Sequence, residues 1–315
     1  MDVQEKKPKV SICVVTYNQM KYIGKCLQSI VDQIVDFNFE VIIGDDCSTD
    51  GTREILQKFA DKYPKILKVI FHEKNIGAVQ NYIVVHQKAI GEYVSHIDGD
   101  DWCEPNKIAS QCLFLDVNLD CVAVVHKLAM RDSNGNDLFK TWPKRFAFKK
   151  YDLRKLVTTH PAFGNSSIMY RNGAISQLIN SELKNFIDFQ IYVHLALQGY
   201  IGAIDEKLGN YTCGVGVSSS QSLYNLAVQA LIYAKTNGLE ADIFQHSMAR
   251  QYLNFAKKAI VEKDVDLFKH LICLSVMQKR IGVQQNVLYK LRNKQRALKL
   301  CLITYRAFKR YVSFK

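Results

Sequence analysis

The first 130 residues alternate between two hydrophobic periods, and this constrains the fold more than any other feature. Val10-Ser11-Ile12-Cys13-Val14-Val15 is a short, nearly continuous apolar run, as expected of a strand buried on both faces. Met20 to Val35 switches to helical spacing, with Ile23, Leu27, Ile30 and Ile34 on one side. Phe39–Ile43, Leu67–Phe71, Tyr93–Ile97 and Cys121–Val125 read as further strands. Between them, Arg53–Lys62, Ala78–Ala89 and a segment opened by Pro105 read as helices, the first behind the capping stretch Ser48-Thr49-Asp50-Gly51-Thr52. This order predicts an α/β fold, a Rossmann-like, mostly parallel sheet with right-handed crossovers and flanking helices. Residues 140–215 are less regular, apart from a helical pattern over Phe186–Gly199. From Ser222 onward the pattern is helical. A boundary near 220 gives a sheet domain over 1–220 and a helical, basic C-terminal region over 221–315.

The N-terminal stretch MDVQEKKPKVSICVVTYN has too short an apolar run for a signal peptide. No window approaches the ~18 uninterrupted apolar residues of a membrane span. The nine cysteines form no C-x-x-C pair, so we expect reduced thiols, a cytoplasmic setting and no zinc site. The net charge of +12 is unevenly placed. From Leu267 to Lys315 there are 12 Lys and Arg and no Asp or Glu, so the rest of the chain is neutral.

In such sheets, ligands bind beyond the carboxyl ends of the strands. Thr16-Tyr17-Asn18 follows the first strand, Asp45-Asp46-Cys47-Ser48 the second, Asn75-Ile76-Gly77 the third and Asp98-Gly99-Asp100-Asp101 the fourth. The last group packs three carboxylates into four positions. They repel unless a cation or a set of donors compensates. Mg²⁺ or Mn²⁺ would suit, since hard ions take carboxylate oxygens and leave positions for water and phosphate. An acidic helix cap is the simpler reading of the same residues. Asp45 and Asp46 suit a base N–H or sugar hydroxyls, and Tyr17 a stacked base or an ordinary rim position. Gly77 suits a close ligand approach or a plain loop. Asp188 is either a general base on an inward helix face or a helix cap. Asn165-Ser166 forms a polar turn that could touch an acceptor sugar. His126, His160 and His194 read as core or surface histidines.

Taken in order, VSICVVTYN, FEVIIGDDCSTDGT, NIGAVQN and HIDGDDW resemble glycosyltransferase family 2, with the GT-A fold. The later IDFQIYVHLALQGYIGAIDEKLGNY resembles that family's Glu-Asp region and the strand after it. The resemblance covers about residues 9–218. It implies an inverting, metal-dependent transfer from a nucleotide-diphosphate sugar, a UDP-sugar by preference. It places Thr16, Tyr17, Asn18, Asp45, Asp46, Asn75, Gly77, Asn81, Asp98 and Asp100 on the donor, and Asp100 and Asp101 on Mn²⁺ or Mg²⁺. Asp188 becomes the catalytic base, and Asn165, Ser166 and Trp102 face the acceptor. Cys47 stands where glycine is usual, Ile187 where glutamate is common and Thr212 where arginine is frequent. The Gln-x-x-Arg-Trp signature of processive synthases is absent, which implies addition of one sugar per acceptor. The implied acceptor is a glycan or polyprenyl-diphosphate-linked oligosaccharide in bacterial surface-polysaccharide assembly.

Residues 286–315 read as a basic amphipathic helix. Val287, Leu288, Leu291, Leu298, Leu302 and Tyr305 share a face beside Arg292, Arg296, Lys299, Arg306 and Arg310. An anionic membrane surface would attract it, making the protein peripheral on the inner face of the cytoplasmic membrane. Packing on the catalytic domain is the alternative, and no nucleic-acid motif accompanies the charge. Two other functions compete with transfer. A sugar nucleotidyltransferase would need a glycine-rich basic loop that Val15-Thr16-Tyr17-Asn18-Gln19-Met20 lacks. A non-catalytic glycan or lipid binder would not need both the acidic cluster and Asp188.

Overall fold

A computed structural model describes residues 7–160, 163–181, 188–215 and 220–294. They divide into two compact units, residues 1–156 with 160–218, and 157–159 with 219–315.

The first unit opens with the expected alternation: β1 (Val10–Thr16), α1 (Met20–Val31), β2 (Phe39–Asp45), α2 (Thr52–Lys62), β3 (Leu67–Phe71), α3 (Ala78–Gln87) and β4 (Tyr93–Asp98). It continues through β5 (Trp102–Cys103), α4 (Lys107–Val117), β6 (Cys121–Arg131), β7 (Asp137–Trp142), β8 (Lys150–Tyr151) and α5 (Leu153–Thr159). A short 3₁₀ turn at Asn165–Ser167 leads to β9 (Met169–Arg171), α6 (Ser176–Ile179), α7 (Asp188–Ala196) and β10 (Tyr200–Thr212).

These strands form one sheet in the order β3-β2-β1-β4-β9-β6-β10-β5, with β7 beside β6 and β8 beside β10. The half from β3 to β4 is parallel, as the apolar runs predict. Beyond β4 the sheet is mixed, because β9 inserts antiparallel between β4 and β6. Three residues are too few to show a period, so β9 is hidden in an irregular stretch of sequence.

The core lies where the central strands meet the helices. Val10, Ile12 and Val14 of β1 and Val41 and Ile43 of β2 pack with Ile23, Leu27 and Ile30 of α1. Helix α1 ends at Val31, before the expected Val35, and Ile34 is consequently 72 % exposed. On the other face of the sheet, α3 approaches β2 closely. A Cβ added at Gly44 would lie 2.0 Å from Asn81 Oδ1 and 2.6 Å from Val85 Cγ2. We therefore expect Gly44→Ala to cost about 1–3 kcal/mol through overpacking. At about 2–4 °C per kcal/mol, thermal denaturation should read this as a lowered melting temperature. An unchanged value would refute that close approach.

The second unit contains α8 (Ser220–Thr236), α9 (Ala241–Glu262), α10 (Val265–Gln278) and α11 (Val283–Leu291). Asp264 caps α10, accepting from the Leu267 N–H at 2.9 Å. Ser275 ties α10 to both neighbours: its hydroxyl donates to the Ala249 carbonyl and accepts from Gln285 Nε2. Of the expected amphipathic helix, residues from 295 onward lie outside the described ones. Among the described residues, no helix is long and apolar enough to cross a membrane.

Candidate nucleotide-sugar site

Strand register brings the polar loops together. Thr16 pairs with Asp45 and Val15 with Asp98, so the loops after β1, β2 and β4 leave the sheet at one level. Backbone bonds then join them. The Asp46 N–H donates to the Thr16 carbonyl and the Gly99 N–H to the Val15 carbonyl, both at 3.0 Å. The Asn18 N–H donates to Ser48 Oγ at 2.8 Å, and the Thr49 N–H to Asn18 Oδ1 at 2.8 Å. Tyr17 projects from this junction, 47 % exposed. Asn18 and Cys47 both adopt left-handed backbone conformations, with φ of 50° and 64°. Such strain in side-chain-bearing residues clusters at functional loops.

Asp45 and Asp46 point to different tasks. Asp45 is fully buried, accepting from Arg53 Nε at 2.7 Å and the Ser48 N–H at 3.1 Å. Asp46 takes hold of the loop after β3: Oδ1 accepts from the Ile76 N–H at 2.7 Å and Oδ2 from the Gly77 N–H at 3.0 Å. Asn75 Nδ2 donates to the Asp46 carbonyl. Asn81 donates to the Gly44 carbonyl at 2.8 Å and contacts His72. Asp45 and Asn81, expected to face the donor, are buried and bonded to the framework, with Asp45 Oδ1 left without a protein partner.

The acidic turn is built from three different environments. Gly99 packs against the loop after β1, where an added Cβ would lie 2.5 Å from Gln19 Oε1 and 3.0 Å from Thr16 Cβ. Asp98 accepts from His96 Nε2 at 3.1 Å and from Ser166 Oγ at 3.3 Å, and its N–H donates to the same hydroxyl. Burial alone would push its carboxyl up, but His96 and Ser166 outweigh this and hold it below the ordinary value. Burial, then the charge of Asp98, pushes Asp100 up to about 7. Asp101 is pushed well above the carboxylate range by burial, then by Asp98 and Asp100. Its Oδ1 accepts from the Thr212 N–H at 2.9 Å, and its Oδ2 is buried without a hydrogen-bond partner. Asp101, expected on the metal, thus has one oxygen bonded to the backbone and the other without a protein partner. Asp98, with a 38 % exposed side chain, is the open carboxylate of the three.

Behind Asp98 lies a network that the sequence reading missed. Tyr170 Oη contacts His86 Nδ1, His86 Nε2 contacts His96 Nδ1 at 3.0 Å, and His96 Nε2 reaches Asp98. Both histidines and Tyr170 are buried. Burial, then His96, lowers the His86 pKa well below the ordinary value, so His86 is neutral with one ring proton. With that proton on His86 Nε2, His96 accepts it at Nδ1 and donates from Nε2 to Asp98. The signal was present in the sequence: residues two apart on a strand share a face, so His96 and Asp98 had to be neighbours. His126, by contrast, is a core histidine whose pKa burial lowers to about 3.

Asp188 opens α7 as an exposed residue whose carboxyl is nevertheless crowded by protein atoms. Burial, then the charge of Asp98, pushes its carboxyl up to about 6, with His96 partly opposing. Asn165 and Ser166 are buried beside β4, so Ser166 serves Asp98 directly. Trp102 lies on the α1 side, with Lys25 Nζ 3.3 Å from its ring centroid.

An exposed tyrosine, a carboxylate-held loop and an acidic cluster thus gather at one edge of an open α/β sheet, where ligands bind in such folds. The model of glycosyl transferase family 2 matches residues 11–177, and the chain belongs to this family. An uncharacterized protein of Mycobacterium tuberculosis is 31 % identical over 209 residues, 64 % of this chain and 58 % of that protein. The chain thus spans less than two thirds of that relative's length. The putative teichuronic acid biosynthesis glycosyltransferase TuaG of Bacillus subtilis is 38 % identical over 109 residues, 35 % of this chain and 42 % of TuaG. Among solved structures, S. aureus TarS 1-349 in complex with UDP-GlcNAc superposes with a TM-score of 0.64 at 23 % identity, over 93 % of this chain and 87 % of that one. The mannosyltransferase PcManGT of Pyrobaculum calidifontis, in complex with GDP-Man and Mn²⁺, gives 0.61 at 18 % identity, over 98 % and 84 %. At these identities the structures establish a shared GT-A fold. Cys47 holds the left-handed conformation that the family's usual glycine would adopt without strain.

Proposed function

We propose that the chain is an inverting, metal-dependent, non-processive glycosyltransferase. It moves one sugar from a nucleotide-diphosphate sugar, a UDP-sugar by preference, to a glycan or lipid-linked acceptor in surface-polysaccharide assembly. The observation that carries this reading is that strand register brings the loops holding Tyr17, Asp46 and Asp98 to one sheet edge, with Asp188 near enough to feel the charge of Asp98. The names and ligands of TuaG, TarS and PcManGT support it.

In this reading Tyr17 stacks on the base. Asp46 shapes the wall at Asn75–Gly77, and each of its oxygens keeps a lone pair for a base N–H or ribose hydroxyl. Ionised Asp188 accepts the proton of the acceptor hydroxyl as that oxygen attacks the anomeric carbon from the side opposite the diphosphate. The glycosidic C–O bond to phosphate breaks, its electron pair leaves with the diphosphate, and the configuration inverts. Asp100, with Asp98 beside it, has the hard oxygen chemistry to hold Mn²⁺ or Mg²⁺, and two carboxylates suffice when donor phosphates and water complete the shell. The cation would offset charge gathering on the leaving diphosphate. His96 and Ser166 orient Asp98 for that role. The basic segment after Leu267 would hold the enzyme at an anionic membrane near its acceptor.

Asp46→Asn tests the donor half. An amide nitrogen cannot accept the loop N–H that a carboxylate oxygen accepts, so the wall loosens. A charge-assisted hydrogen bond is worth about 1.5–3 kcal/mol, so calorimetry should show UDP binding weakened about 10- to 100-fold. Unaltered affinity would remove Asp46 from the nucleotide pocket.

A further inference from the structure

Beside the acidic turn lies a small cavity of about 90 Å³. Asp100, Trp102 and Thr212 form one wall, and Lys21 and Lys25 of α1 face them. The third side is the turn between β6 and β7, at Asn134 and Gly135.

This cavity has a rigid frame. Asp132 Oδ1 accepts from the N–H groups of Asn134 and Asn136 at 2.8 and 2.9 Å, which fixes the turn. Tyr22 Oη donates to the Ser133 carbonyl at 3.2 Å, and Lys21 Nζ to Asn134 Oδ1 at 3.0 Å, which dock the turn onto α1. Arg131 is already committed to Asp137 at 3.0 Å and Asn210 at 2.7 Å.

The two lysines are not neutralised in this way. Among the described residues neither forms an ion pair. Lys25 sits instead over the Trp102 ring, with Arg131 6.0 Å from the same centroid. Lys21 and Lys25 are four residues apart on one helix, an arrangement of like charges that mildly destabilises a helix. Burial and then Arg131 lower the Lys25 pKa, so its ammonium is held where positive charge is unfavourable. The Trp102 ring and, at longer range, the charge of Glu104 offset only part of this. An anion between the lysines would offset the remainder, with the Trp102 indole lining the same cavity.

We propose that Lys21, Lys25 and Trp102 form a subsite for an anionic sugar, one carrying a carboxylate or a phosphate, and that this sugar belongs to the acceptor. This rests on the glycosyltransferase reading, because the cavity adjoins the transfer site through Asp100. The donor's own diphosphate is the competing source of negative charge.

The test uses the full chain with Mn²⁺ and three probes: UDP, glucuronate and glucose 6-phosphate. The variants are Lys21→Gln/Lys25→Gln and, as a control, Lys58→Gln/Lys62→Gln, which removes two lysines of the same spacing from α2. Titrations followed by NMR should show wild type and control binding both sugar probes in the presence of saturating UDP. The Lys21/Lys25 variant should bind them at least tenfold more weakly, with UDP affinity within about twofold of wild type. The proposal is overturned if wild type binds neither sugar probe, if both double variants weaken equally, or if the Lys21/Lys25 variant loses UDP instead. Failure of the wild type to bind UDP would count against the glycosyltransferase reading. The sugar-probe titrations repeated without UDP would still report on the lysine pair.

Discussion

Replacing Asp188 with Asn is expected to lower kcat by about 10²- to 10⁴-fold, the usual range for removing a general base. Donor KM should change little, because Asp188 opens α7 rather than the loops at Tyr17 and Asp46. The pH dependence gives a second, sharper readout. Burial and the charge of Asp98 push the Asp188 carboxyl up to about 6, and a base works only when ionised. Wild-type turnover should therefore rise as pH increases through about 6 and level off above it. The residual rate of the Asn variant should lack that rise. Stability should move the other way. A carboxyl with a raised folded-state pKa binds protons more tightly folded than unfolded, so its ionisation opposes folding as pH rises above the ordinary carboxylate range. At pH 8 the Asn variant should melt no lower than wild type. Nucleotide diphosphate release measured from pH 5 to 9, with melting curves, checks all three. Full turnover in the variant would end the assignment of Asp188 as base.

Several of these features could be read from the sequence because they follow from local periodicity. The apolar runs Val10–Val15 and Phe39–Ile43 required buried parallel strands, and strand register then brought Thr16, Asp46 and Asp98 to one edge. What remained hidden depends on long-range geometry. β9 pairs with β4 and β6 through a few residues, in a segment without periodicity. The bond that Asp101 accepts comes from Thr212, 111 positions away. The Tyr170–His86–His96 chain joins a helix and two strands, and no spacing rule reports it. The division of labour between Asp45 and Asp46 was half legible. Alternation along a strand sends adjacent side chains to opposite faces, but only the structure reveals Arg53 waiting on one of them.

Mn²⁺ is expected to raise the melting temperature of the wild type, and Asp100→Asn to abolish both that rise and most turnover. Asp100 sits 8 % exposed beside the charge of Asp98, and its carboxyl is pushed up to about 7. Without a cation, stability should fall as pH rises from the ordinary carboxylate range to about 7, because over that interval the folded protein holds a proton the unfolded chain has released. Above about 7 this contribution is constant. A dication relieves the repulsion, so the Mn²⁺ effect should grow with pH. At a concentration near 100 times Kd it is worth about 2.7 kcal/mol, or about 5–10 °C in a domain of this size. Asp100→Asn removes the repulsion together with a ligand. Its metal-free melting curve should vary less with pH, and Mn²⁺ should leave it unmoved. Turnover should fall about 10²- to 10³-fold or more, the scale set by losing one charge-stabilising group. Asp101→Asn provides the contrast. One Asp101 oxygen is already held by the Thr212 N–H, so its variant should keep a Mn²⁺-dependent rise in melting temperature. If Asp101→Asn lost that rise and Asp100→Asn kept it, the metal would sit on Asp101, and the separation of roles within Asp98-Gly99-Asp100-Asp101 would be wrong.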